Sequence, residues 1–311
     1  MSTQVQNLNE KLNEQSLGGI IQTFLNYLTV EAGLSSNTIL GYGRDLRDFA
    51  IFCDSKEIKQ PSQITTATLY DYAKSFARQS KAEASINRSV VAIKMFMRFC
   101  KMSGHVKDDL AVFMESPKLW QKLPVICSKD QVAKLMDCPD EKEPYLQRDR
   151  ALLELLYATG TRASEVAGLK TGDVNLKIGY IRCLGKGNKE RIVPLNKAAS
   201  AAVELYLEQL RPKLVKPCSG DSLFLSRTGK ALSRIEIWRI VKKYARLAGL
   251  SRQLTTHTLR HCFATHLLSG GADLRSVQEM LGHVDIATTQ IYTHVDQDRL
   301  RSIHKKFHPR G

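Results

Sequence analysis

Apolar residues recur at helical spacing through the N-terminal third of the chain. Leu17–Val30 sets Ile20, Ile21, Phe24, Leu25 and Leu28 on one stripe, and Asn37–Cys53 repeats the pattern with Ile39, Tyr42, Leu46 and Phe49. The turn between them, AGLSSN, offers Gly33 and a Ser or Asn cap. Thr65–Gln79 and Ser85–Met102 continue the pattern, the last with basic residues Arg88, Lys94, Arg98 and Lys101 that suit either solvent or DNA phosphates. The spacing predicts a four-helix module over 16–115, preceded by a polar flexible tail over 1–15. Pro117 and Pro124 then break the period, so 116–128 reads as an interdomain linker and 129–311 as a second domain.

Within that second domain, Asp130–Met136 and Gln147–Thr159 read as helices. Tyr180–Leu184 and Arg191–Leu195 are β-rich runs joined by GKGNKE, a glycine-containing hairpin turn. Helices are then expected over Lys197–Leu214, Arg234–Ala248, His257–Ser269, Leu274–Leu281, Ile286–His294 and Asp298–Phe307, with Gly270, Gly271 and Gly282 as stops. The fold class is mainly α with a small β-hairpin or sheet, an α+β chain of two domains. Its length of 311 residues suits two hydrophobic cores.

Charge sharpens this picture. The chain carries 46 Lys and Arg against 31 Asp and Glu, a formal net charge of +15. Residues 1–115 hold 13 basic and 12 acidic side chains, so almost all of the excess lies in the second domain, and nucleic acid is the partner it points to first. Apolar runs such as Ala151–Ala158 stop far short of the roughly 20 residues a membrane span needs, so no membrane insertion is expected. The opening residues MSTQVQNLNEKLNEQ carry no signal-type apolar stretch, and seven scattered cysteines form no CxxC pair. Both fit a cytoplasmic protein whose cysteines are small core residues.

Two chemistries can be set aside. His257 and His261 stand four apart, but the zincin motif HExxH is absent and no acid lies nearby, so no metal is expected. GKGNK lacks the GxxxxGK[ST] pattern and joins two strands rather than a strand and a helix, so no nucleotide cofactor is expected. What remains is cationic: Arg162, Lys186, His257, Arg260 and His283, followed by Tyr292. Forked guanidiniums and imidazoles suit the charge that spreads over a phosphodiester's oxygens in its transition state. A tyrosine hydroxyl is a fitting nucleophile there, although only about 0.1% is ionised at neutral pH and cationic neighbours must assist it. Spacing does not assemble these residues into one site.

Four strings carry a resemblance: LLYATGTRASEVAGL from Leu155, LGKGNKERIVPL from Leu184, HTLRHCFATHLLSGGADLRSVQEMLGH from His257, and TTQIYTHV from Thr288. In order and spacing they resemble the signature boxes of the tyrosine recombinase (phage integrase) family, Xer branch. The resemblance implies an N-terminal SAM-like DNA-binding domain and a C-terminal catalytic domain. It makes Tyr292 the nucleophile that forms a 3′-phosphotyrosine, and Arg162 and Arg260 the holders of the nonbridging oxygens. Lys186 becomes the general acid, His283 a further donor, His257 a proton acceptor or positioning group, and Glu165 the acid that orients Arg162. His261, His266 and His294 are left as packing residues or as supports behind the residues that touch DNA. The implied partners are a double-stranded DNA site, a tetramer of one chain or with a second Xer recombinase, and a septal DNA translocase, on the nucleoid. The C-terminal stripe Leu300, Ile303 and Phe307 must bury somewhere: the resemblance implies docking on a neighbouring subunit, and packing against its own subunit is the other reading. The role implied is resolution of chromosome or plasmid dimers at cell division. An integrase of a mobile element and a non-catalytic architectural DNA-binding protein are the competing readings.

Overall fold

The computed structural model describes residues 3–32, 34–76, 81–114, 126–140, 142–185, 190–250, 254–282 and 294–310. The chain divides into two compact units, Met1–Lys122 and Leu123–Gly311.

The first unit holds α1 (Thr3–Asn13), α2 (Gly18–Val30), α3 (Ser36–Asp54), α4 (Thr66–Ser75) and α5 (Glu83–Met102). Ser35 caps α3 and a Thr65–Thr68 capping box starts α4, so local polar residues set where these helices begin. Phe24, Phe49, Tyr72 and Phe96 fill the core, with the Phe24 and Phe96 rings 5.6 Å apart and the Phe49 and Tyr72 rings 5.0 Å apart.

The expected flexible tail is instead α1. Its sequence is polar, but Leu8 and Leu12 sit one turn apart and both are buried in the same core as Leu17. Glycines permit this close approach. A Cβ at Gly18 would lie 1.8 Å from the Leu12 carbonyl oxygen, and one at Gly43 would lie 2.4 Å from the Leu8 Cδ2.

The second unit runs α6 (Lys129–Asp137), α7 (Leu146–Thr159), α8 (Ala163–Gly168), β1 (Val174–Asn175), β2 (Tyr180–Leu184) and β3 (Glu190–Pro194), then α9 (Lys197–Leu205), a π turn (Tyr206–Leu210) and α10 (Arg211–Leu214). It ends with α11 (Arg234–Leu247), α12 (Thr256–Gly270), α13 (Leu274–Leu281) and α14 (His294–Phe307). The three strands form an antiparallel sheet in the order β1-β2-β3, with Cys183 opposite Arg191. The turn residues 186–189 lie outside the described residues, as do 286–293 of the expected Ile286–His294 helix.

Helix α7 is the centre of this unit. Every residue from Ala151 to Thr159 is buried, as expected for a helix apolar on nearly all sides and packed against α9 and α12. Its one acid in that stretch, Glu154, accepts from Arg310 Nη2 at 2.7 Å. The linker boundary also shifts: Cys127 is buried in the second unit's core and Ser128 caps α6 in a capping box with Gln131. Of the cysteines, Cys218 is exposed and Cys138 half-buried, so only the other five are the core residues expected.

The C-terminal stripe follows the second of its two readings. Leu300 is buried in its own unit, with Ile303 and Phe307 packed against the same core. Docking on a neighbour is therefore not needed to cover them. Gly270 makes the fit possible, because a Cβ there would lie 2.6 Å from the Phe307 carbonyl oxygen. Polar groups complete the seam: His304 Nε2 donates to the Ala158 carbonyl at 2.7 Å, and the rings of His304 and His308 stack 4.6 Å apart. Burial holds His304 at about 4, and burial with the neighbouring His304 holds His308 at about 3.

Both findings give expected outcomes. Leu12→Ala should cost about 2–5 kcal/mol of the first unit's stability, measured by urea unfolding, whereas removal from a free tail would cost nothing. The buried histidines bind fewer protons folded than unfolded, so stability is intact above about 6.5 and falls as pH drops toward about 4. The difference between unfolding midpoints at about pH 7 and about pH 5 should narrow in a His304→Gln, His308→Gln double variant; an unchanged difference would assign acid sensitivity elsewhere.

Candidate active site

The segment between α7 and α8 reads Thr159-Gly160-Thr161-Arg162. Gly160 ends α7 in the left-handed region, at φ 58°, and Arg162 caps α8. The Thr159 and Thr161 hydroxyls bond at 2.8 Å, which stiffens the turn. Glu165 then reaches back one turn. Its Oε2 accepts from the Arg162 backbone N at 2.8 Å and its Oε1 accepts from Arg162 Nη1 at 3.0 Å. The Arg162 side chain remains 37% exposed, so solvent reaches it despite the Glu165 bond.

Arg260 approaches from α12. Its Nη1 donates to the Gly160 carbonyl and its Nη2 to the Leu281 carbonyl, both at 2.7 Å. One guanidinium thereby joins the turn before Arg162 to the end of α13. Arg260 is 7% exposed, and burial, followed by the charge of Arg162, lowers its pKa to about 10, still charged at neutral pH. Its hydrogen-bond partners among the described residues are carbonyls rather than a carboxylate. Carbonyls hold the guanidinium in place while leaving its charge, which suits an incoming anion.

The structure thus brings together Arg162, Glu165 and Arg260. His257 lies on the first turn of α12, three residues before Arg260 and exposed. Lys186, His283 and Tyr292 lie outside the described residues. Of the packing histidines, His266 is buried between Tyr157 Oη at 2.8 Å and the Cys127 carbonyl at 2.9 Å, but His261 is exposed. The His294 side chain lies outside the described part.

The four basic residues of α5 do not share a face. At roughly 100° per residue, Lys94, Arg98 and Lys101 fall within about 60° of one another, and Arg88 points away from them. Arg88 instead grips Asp45 on α3 through Nε at 2.7 Å and Nη2 at 3.1 Å.

Sequence reasoning missed two features. Arg191 on β3 makes a fork to Glu165, with Nη1 to Oε1 at 2.9 Å and Nη2 to Oε2 at 2.8 Å. No local motif announced it. The other is α11, where Ile235, Trp238, Arg239, Lys242 and Arg246 follow at i, i+3, i+4, i+7 and i+11 on one face, with the first three and Arg246 exposed. Its signal was present as basic residues in helical period beside an aromatic.

Comparison with known proteins places this geometry. Residues 126–299 match the model of the phage integrase family, and residues 21–104 match the phage integrase N-terminal SAM-like domain. The chain belongs to the phage integrase family. These are site-specific tyrosine recombinases, which makes this chain an enzyme of DNA strand exchange. The tyrosine recombinase XerD of Halalkalibacterium halodurans is 46% identical over 96% of this chain and all of that protein. Tyrosine recombinase XerD of Listeria monocytogenes is 44% identical over 95% of the chain and all of its own length. Among solved structures, XerH site-specific recombinase bound to difH substrate in a pre-cleavage complex shares 28% identity at a TM-score of 0.64, covering 85% of this chain and 78% of that one. The integrase family match spans Arg162, Arg260 and the positions outside the described residues, Lys186, His283 and Tyr292. No described helix is long and apolar enough to cross a membrane.

The turn that carries Arg162 has no room for a side chain at Gly160, where a Cβ would lie 2.4 Å from Phe263 Cδ1. Gly160→Ala should therefore cost about 1–3 kcal/mol from crowding and left-handed strain together, measured as a lowered thermal midpoint. A midpoint equal to that of the parent would show that the turn is not constrained as described.

Proposed function

We propose that this recombinase cuts and rejoins a specific double-stranded DNA site through a 3′-phosphotyrosine formed by Tyr292. The observation that carries this reading is the pair Arg162 and Arg260, two guanidiniums anchored on one turn of backbone, one of them half-buried and the other buried with no carboxylate bonded to it among the described residues. Such a pair fits the nonbridging oxygens of a phosphodiester, whose charge grows more concentrated as a fifth ligand approaches phosphorus.

In the step proposed, the Tyr292 oxygen attacks phosphorus, the bond to the 5′ oxygen breaks, and that oxygen leaves as a hydroxyl after taking a proton from Lys186. His257 receives or positions the tyrosine proton, and His283 donates to the same phosphate. The phosphotyrosyl bond keeps the energy of the original ester, so attack by the 5′-hydroxyl of another strand reverses the step without ATP. Two duplexes cut this way need more than one active site. We therefore read the working assembly as a tetramer on two DNA sites, of this chain alone or with a second recombinase.

Affinity would come from phosphate contacts of the basic second unit, including α11 and, from the first unit, Lys94, Arg98 and Lys101, with marked salt dependence. The role that best fits is resolution of chromosome or plasmid dimers in the cytoplasm, on nucleoid DNA, with a septal DNA translocase as activating partner.

The deciding experiment mixes the protein with nicked duplexes prepared from its own genome and sequences the DNA trapped as a covalent adduct. Tyr292→Phe should retain sequence-specific binding and form no adduct, since only one hydroxyl is lost. An adduct that persists in this variant would overturn the assignment, and binding without any adduct in the parent protein would favour an architectural role.

A further inference from the structure

Arg191 is 4% exposed, yet it touches two of the segments on which the proposed chemistry depends and belongs to a third. It lies on β3, the strand that follows Lys186 in the chain. Its fork holds both oxygens of Glu165. Its Nε donates to the Met280 carbonyl at 2.8 Å, near the end of α13 and three residues before His283 in the sequence. The side chain packs so closely on the helix end that a Cβ at Gly282 would lie 3.2 Å from Arg191 Cδ.

We propose that Arg191 is a positioning residue for strand cleavage, acting through Glu165 on the aim of Arg162 and on how tightly Glu165 holds it. The proposal rests on the phosphate-binding role given above to Arg162. A carboxylate offers about four acceptor positions. Glu165 fills them with two bonds from Arg162 and two from Arg191. Without Arg191, two positions would empty and one carboxylate would face one guanidinium. Glu165 would then turn into a bidentate grip on Arg162 and form a neutral pair. With Arg191 present, Glu165 divides its oxygens between two guanidiniums and meets the Arg162 side chain through Oε1 at 3.0 Å. Arg191 is sealed from solvent while the Arg162 side chain is 37% exposed, so of these two guanidiniums Arg162 is the one within reach of an incoming phosphate. The fork also stops Glu165 from rotating, which fixes the direction in which Arg162 points.

The test measures the single-turnover rate of covalent adduct formation by the full-length chain on a nicked duplex carrying the site recovered by adduct sequencing. Saturating protein is used, at a temperature well below each variant's melting point, and duplex binding is measured alongside. Arg191→Met should slow adduct formation by about 10- to 100-fold, as expected when a reacting group is misplaced, while the dissociation constant changes less than about threefold. Adding Glu165→Gln to Arg191→Met should recover about tenfold of that loss, because the neutral amide no longer captures Arg162. A purely structural role predicts the parent rate in any variant that is folded, and no recovery from the second substitution.

An Arg191→Met rate within about twofold of the parent, or a double variant no faster than the single one, would overturn the proposal. Should Arg191→Met fail to fold, Arg191→Lys carries the same comparison. It keeps a charge but loses the fork, and should lose about tenfold in rate with binding intact. Arg162→Ala separates the two readings: if it forms adduct at the parent rate, the role of Arg162 itself is wrong, whereas a slow Arg162→Ala beside a fast Arg191→Met refutes only the role of Arg191.

Discussion

A carboxylate shut away from water has to be answered by hydrogen bonds and by charge, or it will not ionise. At Glu165 burial pushes the carboxyl up, but the Arg191 fork and then Arg162 outweigh it and hold the group below its ordinary value. Much of the site's order follows from that one balance. Satisfying Glu165 ties β3 to α8, and it holds the Arg162 guanidinium beside the cluster with the side chain still partly open to solvent.

Two further bonds extend the arrangement to α13. The carbonyls of Met280 and Leu281, left unpaired at the end of a helix, accept from Arg191 and Arg260 respectively. Helix C-terminal carbonyls are partly negative, so cations are favoured there on electrostatic grounds as well. The same arginines thus close a helix end and set up a cationic surface. Glu165 accepts from two guanidiniums, and a third, that of Arg260, is held beside the same turn by carbonyls, so a phosphodiester would meet cationic groups already in place.

At the far side of the second unit the demands are mostly apolar. Leu300 and its neighbours cover α12, and His304 and His308 satisfy the carbonyls of Ala158 and Tyr157 in the neutral form. Arg310 reaches back to Glu154 in the middle of α7. The C-terminal helix is thereby joined to the buried helix whose end presents Gly160, Thr161 and Arg162. Its bonds to α7 fall at positions 154, 157 and 158, within two turns of the cationic turn.

Helical period and capping residues read along the chain were enough for α2 to α5, α6, α7, α11 to α13 and the β2-β3 pair, because those signals depend on near neighbours. Arg162 and Arg260 stood out as cationic residues, but their roles, and Glu165 as a candidate at all, came from the resemblance to the tyrosine recombinase boxes, since motif order carries chemical identity. Sequence under-read α1, whose two buried leucines are too sparse for a stripe, and β1, which is two residues long. It grouped Arg88 with Lys94, Arg98 and Lys101, although the partner that turns Arg88 aside is Asp45, 43 positions away. Arg191 was passed over for the same reason. It stands 26 residues from Glu165 and 89 from Met280, and only folding places a carboxylate and a helix end within its reach. Local sequence settles which backbone shapes are favourable, but a side chain's work depends on which distant charges remain unpaired beside it, and that is decided by tertiary packing.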